Sequence, residues 1–211
     1  MLQQNPRRTD NLIWRFNLHL LAEENAAAKA IAGRVLERER LLGAPRAFLG
    51  ELLRTEGDTA GAIREQQKVL ETAPGNIMAI GFLARAYLDT GQREKARSLL
   101  EEKRSMFPGN YLWRHAWALL LAEEGKREEA LQTMDEETLK FAAPMFLVTS
   151  QTADFYAVLG DTSKAVEWLD RAVRNGDERV EYFKRNPRFA SIRQDPRFLR
   201  IIDSIEARRK R

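Results

Sequence analysis

No cysteine occurs anywhere in the 211 residues. Disulfides, thiol chemistry and cysteine-based zinc sites are therefore excluded, although the compartment is not fixed by that absence. Histidine is nearly as scarce, at two residues, His19 and His115. No His-Glu-x-x-His spacing exists to hold zinc from one helix face. The chain also lacks a long apolar run. Its longest uncharged stretch, Phe141 to Ala153, has 13 residues, short of the roughly 20 that cross a bilayer. Residues Met1 to Asp10 contain no apolar core of a signal peptide. Alternating strand patterns bounded by hairpin turns are absent, so an all-α fold is expected.

Phosphate-cradling glycine patterns are missing too. Gly160-Asp161-Thr162-Ser163-Lys164 has some of the letters but no second glycine before the lysine. Carboxylates are plentiful, as in Glu123-Glu124 and Asp135-Glu136-Glu137. Such pairs read as solvated helix faces unless burial splits their pKa values. These observations predict no catalytic residue, no cofactor and no metal site. The chain reads as non-enzymatic.

What the sequence does have is a period. Gly57, Gly91, Gly125 and Gly160 recur at steps of 34, 34 and 35 residues. Alanines stand five residues after each, at Ala62, Ala96, Ala130 and Ala165. Small residues stand seven before, at Gly50, Ala84, Ala118 and Ala153, and Leu53, Tyr87, Leu121 and Tyr156 stand four before. Pro74 and Pro108, each followed by Gly and Asn, are 34 apart. A period of this length marks stacked helical hairpins, in which each unit buries its apolar face against its neighbours. The glycine sits where a helix ends in a left-handed turn, and the alanine lets the second helix approach the first.

The resulting reading is a single array over 1–211. Residues 9–42 form a degenerate first hairpin, with Glu23 in place of the turn glycine. Four repeats follow at 43–76, 77–110, 111–144 and 146–179. Residues 180–211 supply capping helices and a basic tail. In the last segment Asn186-Pro187-Arg188-Phe189 is echoed nine residues later by Asp195-Pro196-Arg197-Phe198. Each proline can start a short helix while the phenylalanine docks on the last hairpin.

Formal net charge is +4, but 10 Lys/Arg against 3 Asp/Glu from Lys184 onward give that segment +7 and leave −3 for residues 1–183. The basic excess ends in Arg208-Arg209-Lys210-Arg211. It reads as an electrostatic contact for nucleic acid or anionic lipid, or as a solvated helix end whose cations suit the helix dipole. The second reading is preferred, because no aromatic-basic platform accompanies the charge. No nucleic-acid partner and no membrane insertion are expected.

These features resemble the tetratricopeptide repeat (TPR) over about residues 43–180. Leu49-Gly50, Leu83-Ala84 and Tyr156 fall where that family has Leu-Gly and Tyr, the alanines fall where it has Ala, and Pro74 and Pro108 match its closing proline. Arg46, Ile80, Arg114 and Thr149 depart from its early Trp. The resemblance implies a TPR-like α-solenoid, a right-handed superhelix of antiparallel helix pairs whose first helices line a concave groove for a peptide or protein segment. Groove positions carried over are Ala47, Phe48, Glu51 and Arg54, then Met78, Phe82, Arg85 and Asp89. The next unit gives Leu112, His115, Leu119 and Glu123, and the fourth Leu147, Gln151 and Asp154. Phe48, Met78, Phe82, Arg85, Leu112, His115 and Gln151 are the expected partner contacts, with Phe48 and Phe82 open to an alternative role in packing between repeats. Ala47, Glu51, Phe82, Leu112 and Ala116 stand where the subgroup that clamps a C-terminal carboxylate has Lys and Asn, so chaperone-tail binding is not implied.

The end of the chain, Tyr156 to Asp161, Ala165 to Leu169 and Asp195 to Phe198, is similar to C-terminal TPR blocks of bacterial multidomain signalling proteins. Two function classes stay open: a protein-interaction scaffold or regulatory module, and a ligand-sensing domain attached to a kinase, cyclase or winged-helix effector. The expected compartment is the cytoplasm, or else the outer side of a membrane-anchored signalling protein. Oligomeric state is open.

Overall fold

The structure is a computed structural model that describes residues 9–38 and 43–210. Residues 39–42, which close the expected first hairpin, and Arg211 of the basic tail lie outside the described residues, as do residues 1–8. Among the described residues there are thirteen α-helices, two short 3-10 turns and no strand. The all-α expectation from the glycine period holds.

The chain forms two compact units, Met1–Pro108 and Gly109–Arg211. The N-terminal unit holds three antiparallel helix pairs: α1 (Thr9–Leu21) with α2 (Asn25–Arg38), α3 (Gly43–Glu56) with α4 (Thr59–Thr72), and α5 (Ile77–Asp89) with α6 (Arg93–Lys103). A 3-10 turn, Arg104–Met106, follows α6. The C-terminal unit holds α7 (Tyr111–Glu123), α8 (Arg127–Thr133), α9 (Glu136–Ala142), α10 (Phe146–Val158) and α11 (Thr162–Arg174). It ends with α12 (Val180–Arg185), a 3-10 turn at Pro187–Phe189, and α13 (Pro196–Arg209).

Local chemistry sets the hairpins. Gly57, Gly91, Gly125 and Gly160 all have positive φ, between 71° and 99°. In the first hairpin Glu23 takes the same left-handed turn at φ 60°, a conformation that costs a side-chain-bearing residue roughly 1–2 kcal/mol. After Pro74-Gly75 and Pro108-Gly109, the asparagines open the next first helix. Asn76 Oδ1 accepts from the Ala79 amide at 3.0 Å, and Asn110 Oδ1 from those of Leu112 and Trp113 at 2.9 and 3.2 Å. Such caps satisfy amides that the helix itself leaves without acceptors.

The helices of each pair meet at the small residues. Gly50, Ala84, Ala118 and Ala153 are buried, as are Ala62, Ala96, Ala130 and Ala165. A Cβ on Gly50 would stand 2.3 Å from the Gln66 amide nitrogen and 3.3 Å from the Ala62 carbonyl oxygen, so α3 and α4 touch backbone to side chain there.

One helix departs from the period. The third repeat has two seven-residue second helices, α8 and α9, where the pattern predicts one. Asp135 is the reason. Its backbone is extended, and its Oδ1 accepts from both the Thr138 amide (3.0 Å) and the Thr138 hydroxyl (2.8 Å), starting a new helix one residue after buried Met134.

The C-terminal unit has one continuous core. Phe155, Tyr156, Trp168 and Leu169 of α10 and α11 share it with Phe183, Phe189, Phe198 and Ile202. Phe189 lies 6.2 Å from Phe183 and 6.1 Å from Phe198, ring centroid to centroid. Asp195 caps the start of α13, and its carboxylate accepts from the Arg197 amide at 2.8 Å and from the Arg197 guanidinium at 2.8 and 3.1 Å.

These contacts lead to two expectations. Ala96→Leu or Ala130→Leu destabilises its unit by roughly 1–3 kcal/mol, since added methylenes at a close helix crossing force strain. Glu128→Leu, on the exposed face of α8, is nearly silent. Urea denaturation that finds all three equal would contradict the register. The second concerns pH. Hydrogen bonds from the Arg197 side chain, with its backbone amide, hold the Asp195 carboxyl at about 2, below its ordinary 3.8. A lowered folded-state pKa means that the stabilisation is complete above the ordinary value and is lost as pH falls through about 2. A carbon-detected NMR titration of Asp195 has its midpoint near there, and Arg197→Ala raises it. An unmoved midpoint in that variant would contradict the pairing.

Candidate functional site

In the N-terminal unit the first helices α1, α3 and α5 bring three phenylalanines into a row. The Phe16 and Phe48 rings are 5.9 Å apart, and Phe48 and Phe82 are 6.2 Å apart. Both spacings lie in the range of favourable aromatic pairs. Phe16 is buried, whereas Phe48, Met78 and Phe82 are half-buried. Phe82 also packs against the small cluster of Ala47, Val69 and Ala79. Phe48 and Phe82 therefore pack between repeats and remain only half-buried.

The charged positions beside that row satisfy one another. Arg54 forms a fork on Glu51 with two bonds of 2.8 Å, and its third nitrogen reaches Asp89 of α5, also at 2.8 Å. Glu51 and Arg54 are 1% and 6% exposed, and Arg85 is 2% exposed. Burying charges is tolerable only with such pairing. Glu51, Arg54 and Asp89 therefore tie α3 to α5 and offer little charge to a partner in this conformation.

The C-terminal unit uses its first helices differently. His115 is buried, and its Nε2 lies 3.2 Å from the Thr152 hydroxyl. That hydroxyl already donates to the Val148 carbonyl at 2.8 Å, so the imidazole Nε2 carries the donated proton. Leu112 stays half-buried, while Gln151 and Asp154 are buried.

Segment 177–193 lies on this face. Arg188 binds Glu123 through Nε at 2.8 Å and a terminal nitrogen at 2.6 Å. The Asn186 amide donates to Asp154 Oδ1 at 2.5 Å. Arg179 forks on Asp177 at 2.7 and 2.6 Å, donates to Ser150 at 2.9 Å, and stacks 4.7 Å above the Tyr182 ring. The Gln151 Nε2 is buried with no acceptor among the described residues.

The structure thus places Phe48, Met78 and Phe82 together in one unit, with Arg85 buried in the same unit. Leu112, His115 and Gln151 belong to the other. Asp177, Arg179, Asn186 and Arg188 were not anticipated as site residues. The Asn-Pro-Arg-Phe echo drew attention to its proline and phenylalanine, but nothing local marks Arg188 as the partner of a glutamate 65 residues earlier. Among the described residues no group of three or more His, Asp or Glu is placed to hold a metal, and no helix is long and apolar enough to cross a membrane.

Comparison with known proteins agrees with this fold. The tetratricopeptide repeat family model matches residues 53–102. No curated protein sequence matches the chain. Among solved structures, a thermophilic TPR protein of Thermus thermophilus is similar at TM-score 0.61 and 15% identity, covering 94% of this chain and 98% of that one. The pilF protein of Pseudomonas aeruginosa is similar at 0.53 and 18% identity, with 95% and 90% covered. A Cut9–Hcn1 hetero-tetramer of the APC/C is similar at 0.60 and 10% identity, with 97% of this chain but 44% of that one covered. Identities this low speak for the fold alone. Residues 53–102 thus match the tetratricopeptide repeat, and the chain has the fold of TPR proteins.

The Glu123–Arg188 pair gives a direct test. Glu123→Ala strands a guanidinium that is nearly buried, at a cost of roughly 2–4 kcal/mol after allowing for the partial exposure of Glu123. Arg188→Ala costs less, and in the double variant the two losses do not add. A thermodynamic cycle with no coupling would contradict the pairing.

Proposed function

We propose that this chain is a non-enzymatic protein-interaction module that holds a peptide or protein segment on its first-helix face. The partly exposed aromatic row of Phe48 and Phe82, with Met78 one turn from Phe82, is the observation that carries the reading. Three apolar side chains on successive first helices suit the anchors of an amphipathic or extended segment. Buried Arg85 and the Arg54 fork position those helices. Leu112 is a half-buried apolar position of the C-terminal unit, where His115 joins α7 to α10 through Thr152 and Gln151 holds a buried amide nitrogen without an acceptor among the described residues. TPR proteins as a class act through protein contacts, which supports the assignment.

Two cavities among the described residues give ligand sensing no support. The apolar cavity beside Phe48, lined also by Leu12, Phe16, Ile31 and Pro45, holds only ≈ 10 Å³, about one water. A groove of ≈ 400 Å³ between α11 and α13 is open to solvent and lies off the first helices.

Affinity capture from the native cell extract, quantified by mass spectrometry, tests the reading. Phe48→Ala/Phe82→Ala loses at least tenfold of the specific partner relative to the unmodified chain, with helical circular dichroism unchanged. Leu199→Ala, an exposed apolar change on α13, retains it. Equal capture by the double variant would remove the aromatic row from recognition.

A further inference from the structure

We propose that segment 177–193 is a displaceable internal occupant of the α7–α10 face, and that this face accepts in its place a peptide with an amide and a guanidinium two residues apart, followed by an aromatic. The proposal rests on the reading of the first-helix face as a recognition surface. Glu123 and Asp154, two positions expected to face a partner, are already engaged by Arg188 and Asn186. Ser150 is engaged by Arg179. The occupant therefore reports what the face recognises: one carboxylate takes a guanidinium and the other takes an amide.

Two observations bear on the release of this segment. Its hydrogen bonds to α7 and α10, through Arg188, Asn186 and Arg179, are polar, and buried ion pairs gain little over their hydrated state. It is built from a six-residue helix and a three-residue 3-10 turn, shorter elements than the helices beneath, although its Val180, Tyr182 and Ile192 share the core of the unit with Phe183 and Phe189. The fit is also incomplete, because Gln151 Nε2, one turn before Asp154, finds no acceptor. A competing segment that brings a carbonyl there satisfies one donor more than the internal segment does. Phe183 and Phe189, both fully buried, oppose release and keep the open state rare.

The test uses the full chain and a fluorescein-labelled synthetic peptide with the sequence of residues 177–193. Asn186→Ala/Arg188→Ala weakens the internal copy while leaving Glu123 and Asp154 intact. Anisotropy titration is expected to show the native peptide binding this variant at least tenfold tighter than the unmodified chain. A control peptide carrying the same two substitutions does not bind. Equal binding to both proteins, or none to either, overturns the proposal. Should the variant fail to fold, hydrogen exchange on the unmodified chain decides. Amides of 177–193 exchanging at least tenfold faster than those of α10 and α11 support displacement, and equal protection marks a fixed cap. Neither measurement involves Phe48 or Phe82, so failure here leaves the aromatic row to be judged by its own capture experiment.

Discussion

Close approach of two helices at a pair of small side chains is the constraint on which the hairpins rest. Seven residues before each turn glycine stands Gly or Ala, and five after stands Ala. The turn and the crossing are thus fixed relative to each other by the chain's own geometry. At Gly50 the approach leaves no room for a Cβ beside Gln66. Dispersion and apolar burial around such crossings supply the cohesion, because tightly meeting helices exclude water along their length. First helices are thereby held parallel to one another within a unit, and their outward positions fall into rows.

Which chemistry fills those rows differs between the units. In the N-terminal unit it is aromatic, Phe16, Phe48 and Phe82, flanked by the charges of Glu51, Arg54 and Asp89, which close on one another. In the C-terminal unit it is polar and occupied, by Arg188 on Glu123 and Asn186 on Asp154. The accessible apolar edge and the internally satisfied face are two consequences of one architecture. A first helix must present its outward side chains to something, whether solvent, a partner or another part of the chain.

Helix pairs, turn positions and the small-residue crossings were legible in the sequence because each is a local constraint repeated at a fixed step. Even Glu23, which breaks the glycine pattern, keeps the turn by adopting the left-handed backbone itself. Asp135 was harder to read. Its neighbours Glu136 and Glu137 look like an ordinary solvated face, and only the bond to Thr138 shows a helix start. The candidate site was legible as a set of first-helix positions but not in depth. Periodicity says which way Arg85, His115 and Gln151 point, and says nothing of what covers them. The contacts that segment 177–193 makes with α7 and α10 join residues 29, 32 and 65 apart, at separations tied to no repeat.

Partner recognition by the first-helix face is the central claim, and hydrogen exchange of the full chain with and without its captured partner tests it most directly. The account predicts slowed exchange in α3 and α5, centred on the turns that carry Phe48, Met78 and Phe82, with α4 and α6 unchanged. Slowing confined to α4 and α6, or to the basic end of α13, would contradict it.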